Sequence, residues 1–154
     1  MTRSNRVQTH RLALGLLAAG MAATALADDS AFISAAGAGK MNGAQIYSHI
    51  CQGCHMPQGM GAVGAGHYPK LAGDPALVSW EYVALTVLGG KNGMPAFGLP
   101  PNEVPPMFAA SLTDPQIAEV VNYVRSNFGN KYKSTVTAKD VAKLPHPGSV
   151  AGPD

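Results

Sequence analysis

Both cysteines of this 154-residue chain fall in one pentapeptide, Cys51-Gln52-Gly53-Cys54-His55. No other feature limits the fold as strongly, because whatever engages two thiols and an imidazole at this spacing must have the rest of the chain close around it. A C-x-x-C pair can be a redox disulfide, half of a zinc site, or the two attachment points of a c-type haem. A thioredoxin-like centre needs a strand ahead of the motif, whereas the preceding "NGAQIYSHI" reads as a helix running into Cys51. A structural zinc needs four ligands, and the sequence has no second cysteine pair to complete them. The haem reading uses all three side chains. Each thiol adds across a porphyrin vinyl group, and the short turn between them holds His55 where an imidazole nitrogen can bind iron.

An iron held by one histidine has a second axial position to fill. Methionine leads the candidates because its thioether is a soft ligand that favours reduced iron. Beyond residue 40 the methionines are Met41, Met56, Met60, Met94 and Met107. Met56 and Met60 follow His55 so closely that the chain would have to wrap the ring edge within a few residues, so they read as loop or packing residues. Met94 stands in "GGKNGMPAFG", where Pro95 restricts the backbone and Phe97 can pack on a porphyrin face. Met107, in "PPMFAASL", is the alternative donor. His49, His67, His146 and an open sixth position are the remaining possibilities.

The N-terminus reads as an export signal. Arg3, Arg6 and Arg11 form a basic front, Leu12 to Ala23 an apolar run, and Ala25-Leu26-Ala27 a small-x-small cleavage site, which predicts a signal peptide over 1–27 and a periplasmic destination. The apolar run is shorter than the roughly 20 residues that span a bilayer, and no later stretch qualifies; an uncleaved anchor is the lesser alternative. Cleavage removes three of eleven basic residues and none of nine acidic ones, leaving eight against nine and a net charge of −1. A basic patch for nucleic acid is thereby excluded. The remaining 127 residues suffice for one small domain, and their shortage of aromatics beside 18 glycines and 12 prolines in the whole chain predicts modest helices, long loops and a centre filled partly by something other than side chains.

Three helices are expected. The first starts at Asn42, capped with Gln45, and runs through Ile46, Tyr47 and Ile50 into the motif. The second runs from near Ser79 through Tyr82, Val83, Val87 and Leu88 to Gly89-Gly90. The third begins at Thr113 with Gln116 completing a capping box, places Ile117, Val120, Val121, Val124 and Phe128 on one face, and ends at Gly129. No internal repeat and no strand alternation stand out. Segments 28–40 and 131–154 read as a flexible arm and a C-terminal extension that drapes over the surface or stays mobile. Lys70, Lys91, Glu103 and Arg125 read as solvated surface groups, with Lys91 near the presumed haem edge.

Taken together, "CQGCH", "YPKLAG", "GMPAFG" and "LTDPQIAEVVNYVRSNFGN" resemble the class I monohaem cytochrome c family, especially the small cytochrome c subunits of bacterial periplasmic dehydrogenases. The resemblance implies an all-α cytochrome c fold over residues 41–130, with about three main helices and long loops wrapped around one covalent haem c. It implies thioether bonds from Cys51 and Cys54, His55 as proximal ligand and Met94 as distal ligand. It also places Pro69 beside His55, where a backbone carbonyl can accept the imidazole proton. One departure stands out: "GLPPNEVPPMFAA", residues 98–110, intervenes where relatives run almost directly into the last helix, which keeps Met107 in contention and adds a Pro-rich loop. The implied function is one-electron transfer between a dehydrogenase donor and a downstream cytochrome or oxidase, with no catalysis of its own. A permanent haem subunit of a multi-subunit dehydrogenase is the alternative, and a catalytic or gas-binding haem with an open sixth position is a third reading.

Overall fold

Asn42 and Gln45 accept from each other's backbone amides at 3.0 Å, and this reciprocal cap opens the first helix. The computed structural model describes residues 41–64, 66–104, 110–133 and 135–148. The expected signal peptide, the arm at 28–40, Met107 with Phe108, and residues 149–154 lie outside them. After α1 (Gly43–Ile46) the helix widens into a π turn over Tyr47–Cys51, where the Gln52 amide reaches back five residues to the Tyr47 carbonyl, and then continues as α2 (Gln52–His55). The extra residue in that turn resets the helical phase immediately ahead of the motif.

A 3₁₀ turn at Pro57–Gly59 leads to a two-stranded antiparallel ribbon, β1 (Ala62–Val63) and β2 (His67–Tyr68), in which Ala62 pairs with Tyr68 and Val63 with His67. Strands of two residues leave no alternation in the sequence, which is why none was legible. A second 3₁₀ turn, Pro75–Val78, is capped by Asp74 and precedes α3 (Trp80–Gly89), capped by Ser79. The long helix α4 (Asp114–Ser126) opens on the Thr113/Gln116 box, and α5 (Ala138–Val141) opens on a similar box between Thr137 and Asp140. Apart from the short ribbon, the described residues adopt the expected helical architecture with long loops.

The core lies where α1, α3 and α4 meet. Ile46 and Tyr47, Val83, Ala84, Val87 and Leu88, and Ile117, Val120, Val121 and Val124 are all buried there. Gly43 sets the closest approach: a Cβ on it would come within 2.7 Å of Tyr123 Cβ and collide with the Glu119 carbonyl, so α1 and α4 touch backbone to backbone. The Tyr47 ring lies 4.7 Å from Phe128 and 5.7 Å from Tyr123, centroid to centroid, extending the contact into an aromatic cluster.

Three expectations are corrected. Phe128 is not on the last helix, which stops at Ser126: the Asn127 carboxamide donates to the Tyr123 carbonyl at 2.9 Å, Asn127 is extended, and Phe128 turns the chain at a positive φ of 58°. The ring still reaches Tyr47 and Tyr123, which holds this otherwise disfavoured conformation in place. Arg125 is not a solvated surface group but 2% exposed, its Nε donating to the Leu77 carbonyl at 2.9 Å and Nη2 to the Val78 carbonyl at 3.1 Å. The segment after residue 131, in its described part, does more than drape: Val136 and Val141 are buried in the common core, and Asn122 on α4 exchanges two 2.8 Å hydrogen bonds with the Val136 backbone.

His146 fastens that segment to the start of α4, its Nε2 2.7 Å from Asp114 Oδ1 and its Nδ1 2.8 Å from the Leu144 carbonyl. The hydrogen bond to Asp114 is the main cause that raises the His146 pKa, helped by the Leu144 carbonyl against an opposing desolvation. A raised folded-state value means the contact stabilises fully below the unfolded value of about 6.5 and is lost as pH rises through the folded value. The urea midpoint of the parent should therefore exceed that of His146→Ala at about pH 5.5, with the gap narrowing at about pH 8.5. A gap that widens with pH would contradict the contact.

Candidate haem-binding site

α2 ends at His55, and the chain turns at Met56 through a φ of 62°. The Tyr47 hydroxyl donates to the Met56 carbonyl at 2.7 Å, tying this turn to the aromatic cluster; burial raises the pKa of that phenol. The Gly61 amide donates to the His55 carbonyl at 2.9 Å, and Gly61 sits at φ 64° where a Cβ would fall 2.7 Å from the Lys70 amide nitrogen. Glycine there lets the loop after β2 lie directly against the motif. The Gly59 carbonyl accepts from the Leu71 and Ala72 amides at 2.8 and 3.0 Å, fixing the loop's far side.

The result is a hydrogen bond of 3.0 Å between His55 Nδ1 and the Pro69 carbonyl. A carbonyl can only accept, so Nδ1 carries the proton and Nε2 keeps its lone pair. His55 is 8% exposed. This is the arrangement in which a metal-binding imidazole is held in one tautomer and one orientation.

Both thiols are free, Cys51 half-buried and Cys54 exposed. Burial, and then the neighbouring Cys54, pushes the Cys51 thiol up to about 12. A dithiol redox centre depends on a thiolate of lowered pKa, and the burial of Cys51 works against one there. Among the described residues no three His, Cys, Asp or Glu side chains gather as a metal cluster.

Met94 is positioned from the other side of the sequence. Gly90 ends α3 at φ 72°, where a Cβ would come within 2.6 Å of the Met94 carbonyl. Lys91 and Met94 then close a tight turn by two backbone bonds of 2.9 and 3.1 Å. Downstream, the Phe97 and Gly98 amides donate to the Val87 and Leu88 carbonyls, and the Leu112 amide donates to the Phe97 carbonyl at 2.7 Å. Lys91, read as a solvated group, has its Nζ 2.9 Å from the Tyr82 hydroxyl and 4.8 Å from that ring's centre, clamping the turn to α3.

Of the residues singled out from the sequence, His55 and Pro69 are brought into direct contact, and Cys51, Met94 and Phe97 pack half-buried against one apolar cluster. Met107 lies outside the described residues. Tyr47, Gly59 and Gly61 were missed as supports of the site. The crowding of glycines in "GMGAVGAG" was the one signal that the backbone there needs close approach.

These residues fit a covalent haem. The donor set is two thiols that form no disulfide, an imidazole whose Nδ1 is bonded and whose Nε2 keeps its lone pair, and a thioether on a pinned turn. Ile50, Leu71, Trp80 and Phe97 are half-buried and pack against the same core cluster as Cys51 and Met94.

The sequence model of the family described as Cytochrome c matches residues 41–128. The chain is 40% identical over 108 residues to the gluconate 2-dehydrogenase cytochrome c subunit of Pantoea cypripedii, covering 66% of this chain and 23% of that one. It is 38% identical over 109 residues to the cytochrome c subunit of the quinone alcohol dehydrogenase of Gluconacetobacter polyoxogenes, covering 70% of this chain and 23% of that one. To cytochrome c-552 of Thermus thermophilus it is 36% identical over 113 residues, 67% of this chain and 83% of the relative. The chain therefore spans less than a quarter of the dehydrogenase subunits and most of the Thermus protein. A family match over residues 41–128, more than half of the chain, together with these relatives, places the chain in the cytochrome c family, with covalently attached haem c as its cofactor.

Proposed function

We propose that the chain is a periplasmic electron-transfer protein, exported by the 1–27 signal and passing single electrons from a dehydrogenase to a downstream cytochrome or oxidase. Cys51 and Cys54 would hold the haem through their thiols, and His55 through Nε2 and Met94 through its thioether would bind the iron. The observation that carries the reading is the His55–Pro69 bond inside a C-x-x-C-H motif whose thiols are free. Bound there, the haem supplies a one-electron iron couple. The Pro69 carbonyl keeps the proton on Nδ1 and makes the imidazole a stronger donor. The turn at Lys91–Met94 and the contacts of Phe97 with α3 hold the thioether in place and limit water, so little needs to rearrange when the charge changes.

The names of the Pantoea and Gluconacetobacter relatives favour a dehydrogenase as donor. A freely diffusing carrier needs a contact below about 1,200 Å² to release its partner quickly. The same relatives are subunits, which supports the second reading, a permanent haem subunit; co-purification with a larger dehydrogenase distinguishes the two. Among the described residues no helix is long and apolar enough to cross a membrane.

The test is ligand access. The reduced, haem-loaded protein is expected to leave its absorption spectrum unchanged on mixing with carbon monoxide, because His55 and Met94 would both hold the iron. Immediate formation of a carbon monoxide complex would show an open sixth position and overturn the carrier reading.

A further inference from the structure

Asn130, just past α4, is 6% exposed and spends its whole carboxamide on backbone. Its Oδ1 accepts from the Gly73 amide at 2.9 Å, and its Nδ2 donates to the Leu71 carbonyl at 3.0 Å and the Val124 carbonyl at 2.8 Å. Two of these bonds go to a loop more than fifty positions earlier in the chain, and that loop begins at Pro69, whose carbonyl orients His55. The same loop is held on its opposite side by the Gly59 carbonyl through the Leu71 and Ala72 amides. Residues 71–73 are thus gripped between the segment that follows the haem motif and the end of α4. The Pro69 carbonyl, two residues from the grip, inherits its position from both.

We infer that Asn130 is a positioning residue for the haem ligand: by holding Leu71 and Gly73 it fixes the Pro69 carbonyl on His55 Nδ1 and so sets the donor strength of the imidazole. The inference rests on His55 being the iron ligand. Carboxamide chemistry is what the position requires, since one group must accept from Gly73 while donating to two carbonyls at once. A hydroxyl has one proton and cannot donate to two carbonyls, an apolar side chain can neither accept nor donate, and a carboxylate would face the Leu71 and Val124 carbonyls without a proton to share.

The experiment compares haem-loaded parent, Asn130→Ala and Val141→Ala, the last removing apolar contact from the same core at a buried position with no bond to the loop. The readout is hydrogen exchange at His55 Nδ1–H in the reduced protein, followed by NMR. Asn130→Ala is expected to speed this exchange about tenfold relative to Val141→Ala, the factor that corresponds to loss of roughly one net hydrogen bond. Its reduction potential should move upward with it, because a less firmly bonded imidazole is a weaker donor to oxidised iron. If Asn130→Ala does not fold, Asn130→Asp serves, keeping the bond from Gly73 while losing both donors. Exchange no faster in the Asn130 variant than in Val141→Ala overturns the inference. Loss of the Nδ1–H signal from the parent itself would instead contradict the assignment of His55, and loss of covalent haem the attachment at Cys51 and Cys54.

Discussion

Arg125→Ala should lower the unfolding free energy by about 3–5 kcal/mol, the largest loss expected from a single substitution away from the haem ligands. The guanidinium bridges α4 to the 3₁₀ turn at Pro75–Val78 by donating to the Leu77 and Val78 carbonyls, and its carbon lies 5.7 Å from the centre of the Tyr132 ring. Truncation takes those donors from two carbonyls at a position 2% exposed and leaves a void of side-chain size. Each unsatisfied acceptor costs about 1–3 kcal/mol, to which the lost packing adds. Arg125→Lys should recover only part, because one ammonium cannot reproduce the planar fork that reaches both carbonyls. Urea unfolding of the haem-loaded protein checks both, and a loss below about 1 kcal/mol for Arg125→Ala would mean that the bridge contributes little.

Removing both thiols, Cys51→Ala with Cys54→Ala, should abolish covalent haem, so that all of the pigment leaves on acid–acetone extraction. Each single substitution should leave haem attached through the remaining link, with its pyridine haemochrome band displaced from the parent's because one vinyl group stays conjugated. Cys51 is half-buried and Cys54 exposed, so loss of the first also removes apolar packing and should lower the yield of folded protein more. Extractable haem in the parent would contradict attachment at this motif.

How much of this was legible in the sequence depends on the range of the interaction. The caps at Asn42/Gln45, Ser79 and Thr113/Gln116 are local hydrogen-bond chemistry, and each lies where the sequence puts it. The stripe of Ile117, Val120, Val121 and Val124 is buried for the same reason, since helical period alone selects that face. Arg125 was misread because its partners come from a turn 47 and 48 positions away, and nothing near it in the sequence marks those carbonyls. The docking of Val136 and Val141 depends on Asn122 acting in place of a strand neighbour, which composition cannot reveal. The π turn at Tyr47–Cys51 carries no residue signature at all.

The site divides the same way. The reading of Cys51, Cys54 and His55 rests on spacing and ligand chemistry and that of Met94 on its setting between Gly90 and Pro95, whereas Pro69 was reached only through family resemblance. The hydrogen bond from His55 Nδ1 to the Pro69 carbonyl supplies the physical reason for that residue. Asn130 and Gly61 belong to the supports behind it, where side-chain identity matters through a backbone neighbour.

The measurement that bears most directly on the account is the absorption spectrum of the oxidised, haem-loaded protein beside Met94→Ala and Met107→Ala, read at the methionine-to-iron charge-transfer band. The account predicts a band in the parent that survives in Met107→Ala and disappears in Met94→Ala. A band lost only in Met107→Ala would place the ligand in the 98–110 insertion, and a parent without the band would contradict methionine ligation altogether.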